Sequence, residues 1–166
     1  MFFSLFGRKR HNSVPVAVAA PMSGKVVDLS EVPDKVFSSK MVGEGIAVDP
    51  AEGTVVAPFD GVVKQVFPAG HALVVESVEG LPLLIHIGID TVNLKGEGFK
   101  ILAVENQEVR VGDPLVEFDM GLLKSKGNPL VSPLVIPDMN KVKSIELTRE
   151  KEVIKGKDVL MRVFLK

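Results

Sequence analysis

HALVVESVEGLPLLIHIGID, residues 71–90, is the stretch on which the reading of this chain turns. His71 and His86 flank two apolar runs, ALVV and LPLLI, with ESVEG between them. Apolar runs of this length joined by a short glycine-containing loop predict a β-hairpin. Taking Ser77–Gly80 as the loop, Glu76 faces Leu81, Val74 faces Leu83, Ala72 faces Ile85, and His71 falls opposite His86. Opposed residues on antiparallel strands share a face, with Cβ atoms about 4.5–5.5 Å apart. A slip of two residues keeps the rings on one face, whereas a slip of one separates them.

Two neighbouring imidazoles admit three chemistries. They can bind a metal through neutral ring nitrogens. They can act as nucleophile and assistant, one ring taking a covalent group while the other donates a hydrogen bond. Or they can be structural, although the apolar strands around them offer few other polar partners. Gly88 lets another group approach the backbone closely, so the amides of IHIGID are candidate donors to an anion.

Composition narrows the field. The chain has 166 residues, 46% of them apolar and 25% charged, which fits one domain with a real core. A net charge of −1 argues against a dedicated nucleic-acid binder. There is no cysteine, so disulfides, thiolate metal sites and a cysteine nucleophile are excluded, and a cytoplasmic location fits. Eleven prolines and fifteen glycines among short valine-rich runs point to all-β structure.

Residues 1–13 read as a flexible tail that includes His11, and residues 14–166 as one domain. Phe2, Phe3, Leu5 and Phe6 precede Arg8, Lys9 and Arg10, the reverse of a secretory signal. Residues 2–10 are the candidate for peripheral membrane contact. Ser30–Ser39 reads as a loop with a helical turn near Pro33, and Asp119–Gly127 as a short helix capped by Asp119. Two echoes run through the chain. Ala20-Pro21-Met22-Ser23-Gly24 matches Ala57-Pro58-Phe59-Asp60-Gly61, and Glu108–Gly112 matches Glu152–Gly156. They predict a compact antiparallel β-sandwich or barrel with an internal duplicated motif and one or two short helical turns.

Four blocks carry a family resemblance: HALVVES (71–77), LLIHIGIDTVNLKGEGFK (83–100), VGEGIAVDP (42–50) and VVAPFDGVVKQVF (55–67). From about Pro21 to the end the chain resembles the glucose-type enzyme IIA family of the bacterial phosphoenolpyruvate-dependent sugar phosphotransferase system. The resemblance implies an antiparallel β-sandwich in which His86 accepts phosphate on Nε2 and His71 steadies the phosphoryl group. It places Asp34 and Asp90 at the site, as carboxylates that repel a permanently bound anion and favour protonated neighbours. It maps a partner-docking rim onto Val36, Phe37, Met41, Val42, Phe67, Leu84 and Val92. Among these, Phe67 and Leu84 suit a core, and Phe37, in a polar loop, suits exposure. The implied donor is the histidine phosphocarrier protein. The implied acceptor is a cysteine of an enzyme IIB domain of a membrane sugar permease. No cofactor is required, although a zinc at His71 and His86 shared with a partner is compatible. One departure stands out: the family commonly has threonine two residues before the assisting histidine, and here that residue is Ala69.

Rival readings come from other classes. His71, His86 and Asp90 have ligand types and spacing suited to a zinc hydrolase, but such sites typically need a further histidine and an H-x-H pair. A-P-M-S-G-K-V is similar to the turn of biotinyl and lipoyl carriers, but the A-M-K-M motif is missing. A regulatory binding module, its output set by phosphorylation of His86, can coexist with a relay.

Overall fold

The computed structural model describes residues 14–166; the expected tail, and with it the candidate membrane contact, lies outside them. Among the described residues no helix is long and apolar enough to cross a membrane. The described residues fold into three antiparallel sheets, so the sandwich-like expectation holds, and no closed barrel is formed among them. The largest sheet runs β13 (Glu152–Val153), β2 (Gly24–Val27), β3 (Glu44–Pro50), β11 (Ser132–Ile136), β7 (Pro82–His86), β6 (Ala72–Ser77), β5 (Gly61–Val66), β9 (Glu108–Val109). A second is β1 (Val16–Ala19), β14 (Val159–Leu165), β12 (Val142–Leu147), and a third β4 (Thr54–Val56), β10 (Pro114–Phe118), β8 (Phe99–Ile101).

Period-2 alternation places the main core on one face of the large sheet. Leu73, Val75, Leu83, Ile85 and Ile87 point inward and are fully buried, packing in one cluster with Val18, Val55, Leu115 and Val163 of the other sheets. The opposite face carries a smaller cluster of Leu29, Val32, Phe37, Ala47, Ile89 and Val135.

The β6–β7 hairpin forms with a register one residue away from the expected one: Ala72 pairs with His86, Val74 with Leu84 and Glu76 with Pro82. Ser77 accounts for the offset. Its backbone N–H donates to Leu81 O (2.8 Å) and its Oγ accepts from Leu81 N (3.0 Å), which shortens the loop to Val78-Glu79-Gly80. Gly80 takes a left-handed conformation (φ 96°), as three-residue hairpin loops require.

Both helical expectations are met. Asp34 Oδ1 accepts from Val36 N–H (2.9 Å) and caps the turn Lys35–Ser38. Asp119 Oδ1 accepts from Leu122 N–H (3.0 Å) and caps Met120–Ser125.

The duplicated motif is a true structural repeat. Ala19 N–H donates to Pro58 O while Val56 N–H donates to Pro21 O, and each of these contacts is the other shifted along the chain. Gly156 N–H reaches Ala20 O as Gly112 N–H reaches Ala57 O. Lys25, the lysine of the carrier-like turn, pairs with Asp49 on one side and Glu152 on the other, so it lies inside a sheet and not at a hairpin tip. The glycine that ends each A-P-x-x-G stretch begins a strand, and a Cβ on Gly61 would overlap the Glu76 carbonyl oxygen across the ladder. Gly61→Ala is therefore expected to cost about 3 kcal/mol, the upper part of the overpacking range, read as a lower urea midpoint with unchanged slope.

Candidate functional site

The two histidine rings meet despite the shifted register. Their centroids are 5.3 Å apart and the planes are at 80°. His86 ends β7 on the face that also carries Ala72 and Leu84. His71 precedes β6, in the turn after Gly70, and its carbonyl accepts from Ile87 N–H (2.7 Å). Strand alternation does not bind a side chain in a turn, so its ring swings to the side of His86 and not into the core. The expectation that a slip of one separates the pair fails for that reason.

The rings differ in exposure and in tautomer. His86 is half-buried, whereas His71 is 6% exposed. His86 Nδ1 lies 2.8 Å from Gly88 O. A carbonyl only accepts, so Nδ1 carries the hydrogen and Nε2 keeps its lone pair. Among the described residues nothing bonds the buried His71 Nδ1. Burying an N–H without an acceptor is costly, which assigns the hydrogen of His71 to Nε2. One ring thus offers a lone pair at Nε2 and the other an N–H donor at Nε2.

Burial depresses the pKa of both rings, and for His71 the positive charge of a protonated His86 adds to the effect. At His86 the Gly88 hydrogen bond and the carboxylates of Asp34 and Asp90 act the other way, but burial outweighs them. The two acids act on His86 in the expected direction and more weakly than the desolvation they oppose, and they leave His71 without a comparable influence. Because the unfolded chain binds protons more readily than these folded rings, the pair favours folding fully above about pH 6.5. That contribution is lost as pH falls below this value and on through the depressed folded pKa. Urea midpoints should therefore drop between pH 7.5 and 5, and His71→Gln should flatten that slope.

The other expected residues are partly rearranged. Asp90 is exposed in a left-handed conformation (φ 58°) at the start of the turn Thr91–Leu94, with no side-chain cap bond. Phe37 is not exposed: it is 6% accessible, belongs to the smaller cluster, and its ring centroid sits 4.9 Å from that of His86. One helical turn points Phe37 inward while Val36 faces out. Phe67 stands edge-on to His71 at 5.6 Å and stays half-buried, as do Val42 and Leu84. Val36 (45%), Met41 (76%) and Val92 (50%) are exposed.

Three of the expected anion-binding amides, those of Ile87, Gly88 and Ile89, are already engaged. Gly88 is buried, its N–H donates to Ser132 Oγ (3.0 Å), and Ile87 and Ile89 N–H donate to His71 O and Pro129 O. Gly88 serves the site through its carbonyl instead. Its φ of 70° and the closeness of Thr91 Cγ2 (2.8 Å) and Pro129 O (3.0 Å) to any Cβ leave room only for glycine. Ser132, Thr91 and Asn128 all bond this loop and were not expected from the sequence. Among the described residues no three His, Asp or Glu side chains converge to hold a metal. His71, His86 and Asp90 are not gathered into such a three-ligand group, and two imidazoles alone make half of a tetrahedral site.

Residues 16–142 match the family model described as phosphoenolpyruvate-dependent sugar phosphotransferase system, EIIA 1. The chain belongs to this EIIA family. It is 45% identical over 161 residues to the glucose-specific EIIA component of Haemophilus influenzae, covering 97% of this chain and 96% of that one. The glucose-specific EIIA component of Staphylococcus aureus is 42% identical, with 98% of each chain covered. A glucose-specific EIICBA component of Staphylococcus carnosus is 49% identical over 144 residues, 87% of this chain but 21% of that protein. The solved glucose permease IIA of Mycoplasma capricolum superposes with a TM-score of 0.81 at 34% identity, covering 89% of this chain and 95% of that one. As an EIIA, the protein is a phosphotransfer component of sugar uptake.

Proposed function

We propose that His86 is the phosphoryl carrier of this EIIA, taking phosphate from the histidine phosphocarrier protein and passing it to a cysteine of an enzyme IIB domain. One observation carries the proposal. His86 Nδ1 is committed to Gly88 O, which leaves the Nε2 lone pair of a half-buried ring as the nucleophile, beside a second ring with an N–H to give.

In the first step the Nε2 lone pair attacks phosphorus in line. The donor N–P bond breaks and its electron pair returns to the donor imidazole. In the second, a cysteine thiolate attacks, the His86 N–P bond breaks, and that pair returns to Nε2. Positioning and charge stabilisation account for most of such a transfer. His71 Nε2–H donates to a phosphoryl oxygen. Asp34 and Asp90 keep free anions out of the site.

A half-buried nucleophile at the end of a strand, with exposed apolar side chains expected around it, suits a macromolecular donor and acceptor more than a small substrate. Val36, Met41 and Val92 form the exposed docking rim, backed by Phe37, Val42, Phe67 and Leu84. The fused EIICBA relative supports a IIB acceptor, and the names of the relatives make glucose the first sugar to test. The relay works in the cytoplasm, where phosphoenolpyruvate is made.

The test is direct. With phosphoenolpyruvate, enzyme I and the phosphocarrier protein, the chain should gain one acid-labile, alkali-stable phosphate. A purified glucose-specific IIB should then discharge it. A protein that stays unphosphorylated, or that carries an acid-stable phosphate, would overturn the proposal.

A further inference from the structure

The loop after His86 is clamped from far along the chain. Gly88 N–H donates to Ser132 Oγ (3.0 Å), Ile89 N–H to Pro129 O (3.0 Å), and Asn128 Nδ2 to Ile89 O (2.9 Å). Ser132 is fully buried, and its hydroxyl donates in turn to Leu130 O (2.9 Å). Gly88 O and Ile89 N–H belong to one peptide group. That amide accepts from His86 Nδ1 at one end and donates to Pro129 at the other, and hydrogen bonds at the two ends of an amide strengthen each other. Ser132 holds the peptide before it and Asn128 the carbonyl after it.

We infer that Ser132 and Asn128 are positioning residues for His86, holding the Gly88–Ile89 peptide so that its carbonyl keeps hydrogen on Nδ1 and the lone pair on Nε2. The inference rests on His86 being the phosphoryl acceptor. Neither side chain needs to touch the phosphoryl group: each acts through the peptide it holds. If that peptide turns away, Nδ1 loses its acceptor and the ring populates the tautomer with hydrogen on Nε2, which has no lone pair to attack with.

The experiment uses the full chain. Nitrogen-15 NMR of the histidine rings reads the tautomer, and the rate of phosphate uptake reads the function. Both are measured well below the melting temperature. Wild type should show His86 with hydrogen on Nδ1 alone. Ser132→Ala should show mixed tautomers and accept phosphate about five- to tenfold more slowly, the effect of one buried hydrogen bond. Ser132→Thr keeps the hydroxyl and should restore both readouts. Asn128 is only half-buried, so Asn128→Ala decides the matter if Ser132→Ala does not fold; it should shift both readouts the same way. A folded variant with an unchanged tautomer overturns the inference, whether its uptake is slowed or not. Wild type that takes no phosphate on His86 would sink the relay reading instead, and the tautomer spectra would still judge the clamp.

Discussion

His86→Ala should take up no phosphate. The described fold contains two imidazoles, and the chain has no cysteine to act in their place. His71 is a poor substitute, because its ring is buried and its Nε2 carries hydrogen. Loss of a covalent nucleophile typically costs on the order of 10⁴-fold or more, so uptake should fall to background. His86 is half-buried at the end of a strand, and the variant should fold. The check is the acid-labile phosphate in the reconstituted assay. Uptake by His86→Ala together with none by His71→Ala would reverse the two roles.

His71→Ala should separate the two half-reactions. It keeps the Nε2 lone pair of His86, so it should still accept phosphate. Onward transfer should fall by about 10²–10³, the usual cost of removing one preorganised donor from a developing charge. The asymmetry has an electrostatic origin. Uptake brings a neutral imidazole against the phosphoryl group. Discharge brings an anionic thiolate toward an anionic group beside Asp34 and Asp90, and there the His71 N–H matters most. Single-turnover rates with the phosphocarrier protein and with IIB measure the two steps separately. Equal losses in both would show that His71 has no special part in discharge.

Much of this was legible in the sequence, and the failures are specific. The hairpin, its two histidines and the duplicated turn follow from period-2 alternation and from repeated A-P-x-x-G, both of which are local signals. The register differs from the expected one because Ser77 Oγ accepts from a backbone amide, and no pattern of apolar residues reports that. Phe37 is buried against expectation because its sequence neighbours are polar while one helical turn sends it inward. The amides of Gly88 and Ile89 are taken up for a similarly non-local reason. Their partners Pro129 and Ser132 lie some forty residues away, at 44 for Ser132, and only the sheet order β3-β11-β7 brings them close. Local chemistry could be read off the chain, whereas the supports supplied by another strand could not.

The repeat has a bearing on where the relay resides. One copy, from Val56 to Val116, is nested between the two parts of the other, since Gly24 pairs with Val153 just as Gly61 pairs with Val109. Both histidines come from the inner copy. Asp34, Phe37, Asn128 and Ser132 come from the outer one, on either side of the insertion. The reactive pair thus lies along the seam of two near-equivalent halves, and neither half in isolation would possess a working centre.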